Sequence, residues 1–176
     1  TDWTDRGTCV LFGDGAGAAV IQAGETGVIH MVMGSDGARG QVLTCTARTD
    51  GNVFNGKTPE FGYIQMDGQE VFKFAVKKVP ECIRQVLDES GTSMDEIKYF
   101  VLHQANYRIC EAVAKRLKQP LEKVPMNIDR FGNTSGATVP ILLDELNREG
   151  KLERGDKIVL AGFGGGLTWG AVLLEW

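Results

Sequence analysis

His103, one of two histidines in the chain, stands in VLHQANYRIC where an apolar, strand-like run stops and a helix-like run begins near Ala105. A helix N-terminus carries partial positive charge and disfavours the imidazolium, so a histidine there tends to stay neutral and to donate one N–H. Such a donor suits an oxyanion or an enolate; a structural histidine closing a strand is the other reading of the same position. Thirty residues downstream, Asn133 lies among Gly132, Thr134 and Ser135, ahead of a helical run. Its amide can donate to developing negative charge without the pH dependence of a cation. Asparagine is equally at home as an N-cap or turn residue. Gly164, Gly165 and Gly166 leave the backbone bare just after a strand-like run. Consecutive glycines let a ligand approach backbone N–H groups, as an oxyanion hole requires, and a simple hairpin would use them too.

Each of these loops follows a segment that reads as a strand: HQAN after KYFVL, FGNTSG after VPMNI, FGGG after KIVLAG. Ligands of α/β sheets collect at the carboxyl ends of strands, so the three loops are expected to converge on one site. TCVLFGDGAGAAVIQ reads as strand, glycine turn and strand, and GVIHMVMGSDG as a further strand. Residues 38–63 are polar and without period and read as a long surface excursion. The apolar spacing of MDGQEVFKFAVKKVPECIRQVLDESG predicts a helix kinked at Pro80 or two abutting helices. Ser93 to Glu96 has capping-box spacing, announcing a short helix before KYFVLH. Ile109, Val113 and Leu117 recur every four residues on an amphipathic helix ended by Pro120, and ATVPILLDELNREG is a helix closed by Gly150. LTWGAVLLEW reads as the last strand. Alternating strands and helices predict an α/β fold with a mixed sheet flanked by helices.

Other chemistries are disfavoured. GDGAG, Gly13 to Gly17, lacks the lysine of a phosphate loop, departs from G-x-G-x-x-G and runs into AAVIQ rather than a helix, so it reads as a strand connection. A net charge of −4 and a pI near 5.2 leave no general basic face for nucleic acid. No apolar run is long enough to cross a membrane, and TDWTDRG has neither part of an export signal. Cys9, Cys45, Cys82 and Cys110 lack C-x-x-C spacing; three lie in runs where a reduced, buried thiol is expected, which suits a reducing compartment and argues against zinc. The abrupt start beside core-like sequence suggests a longer polypeptide.

In order, TDWTDRGTCVLFGDGAGAAV, GQEVFKFAV, HQANYRI, DRFGNTSGATVP and GFGGGLTWG resemble the carboxyl-terminal half of the β-ketoacyl-acyl carrier protein synthase III family. Those enzymes are thiolase-like, with a layered, duplicated α-β-α-β-α architecture. The resemblance divides the chain into residues 1–26, the last strands of the amino-terminal half, and residues 27–176, the carboxyl-terminal domain; residues 38–63 depart from the family and read as a variable loop. It implies decarboxylative condensation of an acyl-CoA primer with malonyl-acyl carrier protein (malonyl-ACP), without cofactor or metal, initiating fatty acid synthesis in a homodimer of the bacterial cytoplasm or plastid stroma. The family's enolate-stabilising pair falls on His103 and Asn133, and its oxyanion-hole glycine on Gly165. Its cysteine nucleophile belongs to the amino-terminal half, outside this chain, and Cys110 reads as a core residue.

The resemblance also places CoA contacts on Arg6, Gly7, Gly68, Phe72, Ala105, Asn106 and Ile109, any of which could be ordinary core or turn residues. Arg108, Lys115 and Arg116, seven and eight apart on one helix, share a face. The family docks its acidic carrier protein on that helix, whereas solvated charge is the default reading. A non-catalytic CoA or carrier-protein binding module of the same fold is the alternative, distinguished by whether the cysteine is present upstream.

Overall fold

The computed structural model describes residues 1–45, 54–57 and 62–176. Four strands make the main sheet: β1 (Val28–Ser35), β4 (Ile97–Leu102), β5 (Lys157–Gly164) and β6 (Thr168–Glu175), in the order β1-β6-β5-β4. β4 and β5 are parallel, whereas β6 is antiparallel to both β5 and β1, so the sheet is mixed as expected. Two short strands, β2 (Leu43–Cys45) and β3 (Ile64–Met66), pair antiparallel beside it. The helices are α1 (Gly68–Ser90), α2 (Tyr107–Leu117), α3 (Ile128–Phe131) and α4 (Thr138–Arg148).

Side chains alternate across a strand, and both faces of the central strands are buried. Phe100 and Leu102 of β4, with Val159 and Ala161 of β5, pack into a core with Ile83 and Val86 of α1 and Val113 of α2. Val101 and Ile158 point the other way, onto Leu142 and Leu146 of α4. The result is a helix-sheet-helix layering in which α2, α3 and α4 lie on the crossover between the parallel strands β4 and β5.

α1 is one helix of 23 residues running through Pro80, not two. Its burial against the sheet through Val79, Cys82 and Ile83 offsets the hydrogen bond that proline cannot donate. Asp67 caps its start by accepting from the N–H groups of Gln69 and Glu70, and Gly91, at φ 68°, closes it in a left-handed conformation that a side chain would disfavour. Ser93 and Glu96 form the expected capping box around a single 3-10 turn.

Three local expectations are corrected. Residues 1–26 hold turns and extended chain but no ladder among the described residues; Phe12 alone bridges to Asn133, and Val20 and Ile21 are 98% and 90% exposed. Alternating apolar content makes a strand only where a neighbouring strand takes up its N–H and C=O groups. VPMNI is likewise not a strand: Pro125 lacks an N–H, and Asn127 directs its backbone N–H to Gln104 and its side chain to Glu145 before α3 begins. FGNTSG therefore follows a short helix rather than a strand. The excursion over 38–63 contains a 3-10 segment, Gly37–Val42, and β2; residues 46–53 and 58–61 of that excursion lie outside the described residues.

Candidate active site

The carboxyl ends of β4 and β5 are adjacent, and a cavity of about 540 Å³ opens over them. His103 continues β4 by one residue, its backbone N–H donating to Ala161 O at 2.8 Å. Nδ1 lies 2.6 Å from Thr138 Oγ1, on the first turn of α4, and that hydroxyl donates to Ser135 O at 2.9 Å. Phe163 stands edge-on to the imidazole at 5.3 Å, and Phe74 of α1 is edge-on to Phe163 at 6.2 Å, so aromatic packing holds the ring's orientation. Nε2 makes no hydrogen bond among the described residues.

Burial drives the His103 pKa from 6.5 down to about 4, so the ring is neutral at ordinary pH. The neutrality agrees with the sequence reading, but the cause does not. α2 starts at Tyr107, capped by Asn106 and four residues beyond His103, and desolvation lowers the value. Stability follows with a definite sign. Between pH 6.5 and 4 the unfolded chain binds a proton that the folded chain refuses, so this contribution is complete above 6.5 and is lost as pH falls towards 4. It amounts to roughly 3 kcal/mol. Urea midpoints of the natural polypeptide and of His103→Asn should diverge in slope over that window, the variant losing less on acidification; parallel slopes would contradict the assignment.

Asn133 is 8% exposed and reaches the cavity from the loop between α3 and α4. Its Oδ1 accepts from the Ser135 N–H at 2.8 Å, which leaves Nδ2 as the donor for a ligand. The backbone is tied on both sides: Asn133 N–H donates to Leu11 O at 2.8 Å and Gly13 N–H to Asn133 O at 3.0 Å. GDGAG is thus neither a phosphate loop nor a turn between strands. Its alternate glycines lie against the Asn133 loop and the start of α4, where a Cβ at Gly13, Gly15 or Gly17 would come within 2.0 Å of Phe131 O, 2.8 Å of Thr134 Cγ2 and 2.4 Å of Pro140 Cγ.

Gly165 follows β5 at the cavity wall; its carbonyl accepts from Thr168 Oγ1 at 3.0 Å and its N–H donates to nothing among the described residues. Gly68, Phe72, Ala105, Asn106 and Ile109 line the same cavity. Arg6 and Gly7 do not: both are exposed in an N-terminal turn, where the Gly7 N–H donates to Asp5 Oδ1. Arg108, Lys115 and Arg116 are exposed on α2 and form no ion pair among the described residues. Cys110 is fully buried, its thiol pushed up to about 12 by desolvation, so it is no nucleophile at neutral pH. Of the four thiols only Cys82 and Cys110 are buried, one fewer than expected, and Cys45 is exposed at the cavity.

Sequence reasoning missed Thr138, Phe163 and the β2–β3 wall formed by Leu43, Ile64 and Met66. A threonine at a helix start and a phenylalanine among glycines carry no signal until the sheet brings them to His103. Gln104, fully buried, gives no sequence signal either; it donates to Leu102 O and accepts from Asn127, fixing the loop after β4 to the segment before α3.

A mixed sheet between helix layers, with a neutral imidazole and an oriented amide meeting over its strand ends, defines a thiolase-like α/β protein. Residues 87–176 match the family described as 3-Oxoacyl-[acyl-carrier-protein (ACP)] synthase III C terminal, and residues 1–37 match 3-Oxoacyl-[acyl-carrier-protein (ACP)] synthase III. The chain belongs to the 3-oxoacyl-ACP synthase III family. It is 51% identical to the beta-ketoacyl-ACP synthase III of Clostridium acetobutylicum over 99% of this chain and 54% of that protein, and 49% identical to that of Clostridium novyi over 99% and 55%. The crystal structure of the synthase III from Aquifex aeolicus superposes with a TM-score of 0.88 at 45% identity, covering 99% of this chain and 53% of that one. The chain spans about half the length of these relatives.

Proposed function

We propose that this chain supplies the enolate-stabilising half of a decarboxylative condensing site. The observation that carries the reading is the meeting of His103, Asn133 and Gly165 in one cavity whose remaining wall is largely apolar. An acyl group from acyl-CoA is held as a thioester on a cysteine of the amino-terminal half, and residues 1–26 are the end of that half. Malonyl-ACP then loses CO2; the electron pair of the broken carbon–carbon bond becomes an enolate, whose carbon attacks the acyl thioester and releases the cysteine thiolate. The thioester oxygen gains charge during decarboxylation, and donors positioned at that oxygen bind the transition state more tightly than the ground state. His103 and Asn133 are those donors, and the Gly165 N–H serves the acyl thioester. The product is a 3-oxoacyl-ACP, the first step of fatty acid synthesis in a cytoplasmic homodimer.

Gly68, Phe72, Ala105, Asn106 and Ile109 form the path of the pantetheine arm, and Arg6 with Gly7 lies outside it, where the CoA nucleotide emerges. The exposed stripe of Arg108, Lys115 and Arg116 docks the acidic carrier protein. Charge at such a rim acts mainly on encounter, so Arg108→Glu should raise KM for malonyl-ACP by roughly 10-fold at low salt, while KM for acyl-CoA stays within about 2-fold. Steady-state kinetics with each substrate varied in turn measures this. Equal effects on both substrates would remove α2 as the docking surface.

A further inference from the structure

The hydroxyl of Thr138 carries one hydrogen and stands between two partners, Ser135 O at 2.9 Å and His103 Nδ1 at 2.6 Å. A carbonyl oxygen can only accept, so the Ser135 contact is a hydrogen bond only when the threonine hydrogen points at it. Oγ1 is then left to accept from the ring, which places a hydrogen on Nδ1. A neutral imidazole has one ring hydrogen, so its Nε2 is bare.

We propose that Thr138 is a positioning residue that sets the tautomer of His103, holding the proton on Nδ1 in the empty site and leaving an Nε2 lone pair facing the cavity. The chain from Nδ1–H through Oγ1–H to the Ser135 carbonyl satisfies every polar atom in it. The opposite tautomer would turn the threonine hydrogen to Nδ1 and leave two oxygens facing one another at 2.9 Å. Thr138 is 2% exposed, so water is not at hand to repair that contact. Ser135 is itself held in place, at φ 57°, with its N–H on Asn133 Oδ1. A single turn, Asn133 to Thr138, therefore orients both the amide and the imidazole.

The use of this device rests on the condensing-enzyme reading. An oxyanion needs a hydrogen on Nε2. The other tautomer supplies it: cavity water protonates Nε2, and the hydroxide left behind takes the Nδ1 proton and becomes water again, with no change in net charge; because Oγ1 is buried, the His103–Thr138 contact opens for this exchange. The threonine hydrogen swings from Ser135 O to Nδ1 by rotation about its C–O bond, and the contact given up is offset by a charge-assisted bond at the oxyanion. His103 is thus an acceptor in the empty site and a donor in the loaded one.

Nitrogen-15 NMR of the full-length natural polypeptide labelled at histidine reads the tautomer directly, with the His103 signals assigned by their loss in His103→Asn. At neutral pH, without substrate, the wild type and Thr138→Ser should carry the proton on Nδ1, whereas Thr138→Val should shift the population towards Nε2–H. A proton on Nε2 in the wild type overturns the proposal, as does the same tautomer in wild type and Thr138→Val. Should the valine variant fail to fold, the wild-type spectrum and the serine variant still decide. The readout requires no turnover. Absence of CO2 release from malonyl-ACP would remove the condensing reading and leave the tautomer assignment standing.

Discussion

Asn133→Ala is expected to lower kcat/KM for condensation with malonyl-ACP by roughly 10²- to 10³-fold, the usual cost of removing one donor from an oxyanion site. The effect arises because Nδ2 is the part of the side chain left for a ligand, Oδ1 being occupied by the Ser135 N–H, while the backbone is tied to Leu11 and Gly13 whatever the side chain. Truncation removes that donor and the acceptor of the Ser135 N–H, while the backbone ties keep the loop against the Leu11–Gly13 segment. His103→Ala should cost a similar factor, and the double variant should lose much less than the product of the two, because both donors serve one oxygen. Steady-state rates of the three variants measure this. Full multiplicativity would mean that the two side chains act on different atoms.

Gly13→Ala is expected to cost about 100-fold in the same rate, although residue 13 does not line the cavity, because displacing a reacting group by about 1 Å has effects of that order. The added methyl would sit 2.0 Å from Phe131 O, a backbone atom at the end of α3. The segment and the Asn133 loop must separate to relieve the overlap. Separation weakens the paired bonds from Gly13 N–H to Asn133 O and from Asn133 N–H to Leu11 O. Gly37→Ala is the control, since a Cβ there meets nothing within 4 Å among the described residues. A Gly13→Ala enzyme that folds normally and keeps its rate would show that the glycine face does not position Asn133.

The residues that the fold gathers in the cavity were legible where residue type and loop position coincide. His103, Asn133 and Gly165 stand out because a histidine, an asparagine and bare glycines each come where helix or strand periodicity lapses. The sheet strands β4, β5 and β6 were legible because both-face burial writes nearly continuous apolar runs. What escaped depends on pairing rather than composition. Residues 1–26 have strand-like alternation without a ladder, and VPMNI is apolar but carries Pro125 and an Asn127 engaged elsewhere. β2 and β3 are three residues each and sit at either end of a polar stretch, so no period could reveal them. The neutrality of His103 follows from a different source than the sequence suggests. A helix start is visible in sequence, whereas the burial that lowers its pKa comes from neighbours distant along the chain, among them Thr138 and Phe163. Thr138 escaped for the same reason.

The central claim is that His103 and Asn133 stabilise the charge developed when malonyl-ACP loses CO2. Single-turnover release of labelled CO2 from carboxyl-labelled malonyl-ACP, followed alongside acyl transfer from acyl-CoA in the full-length enzyme, tests it most directly. In His103→Ala and Asn133→Ala, CO2 release should fall by about 100-fold or more while acyl transfer persists. Unchanged CO2 release in both variants, with acyl transfer lost instead, would contradict it.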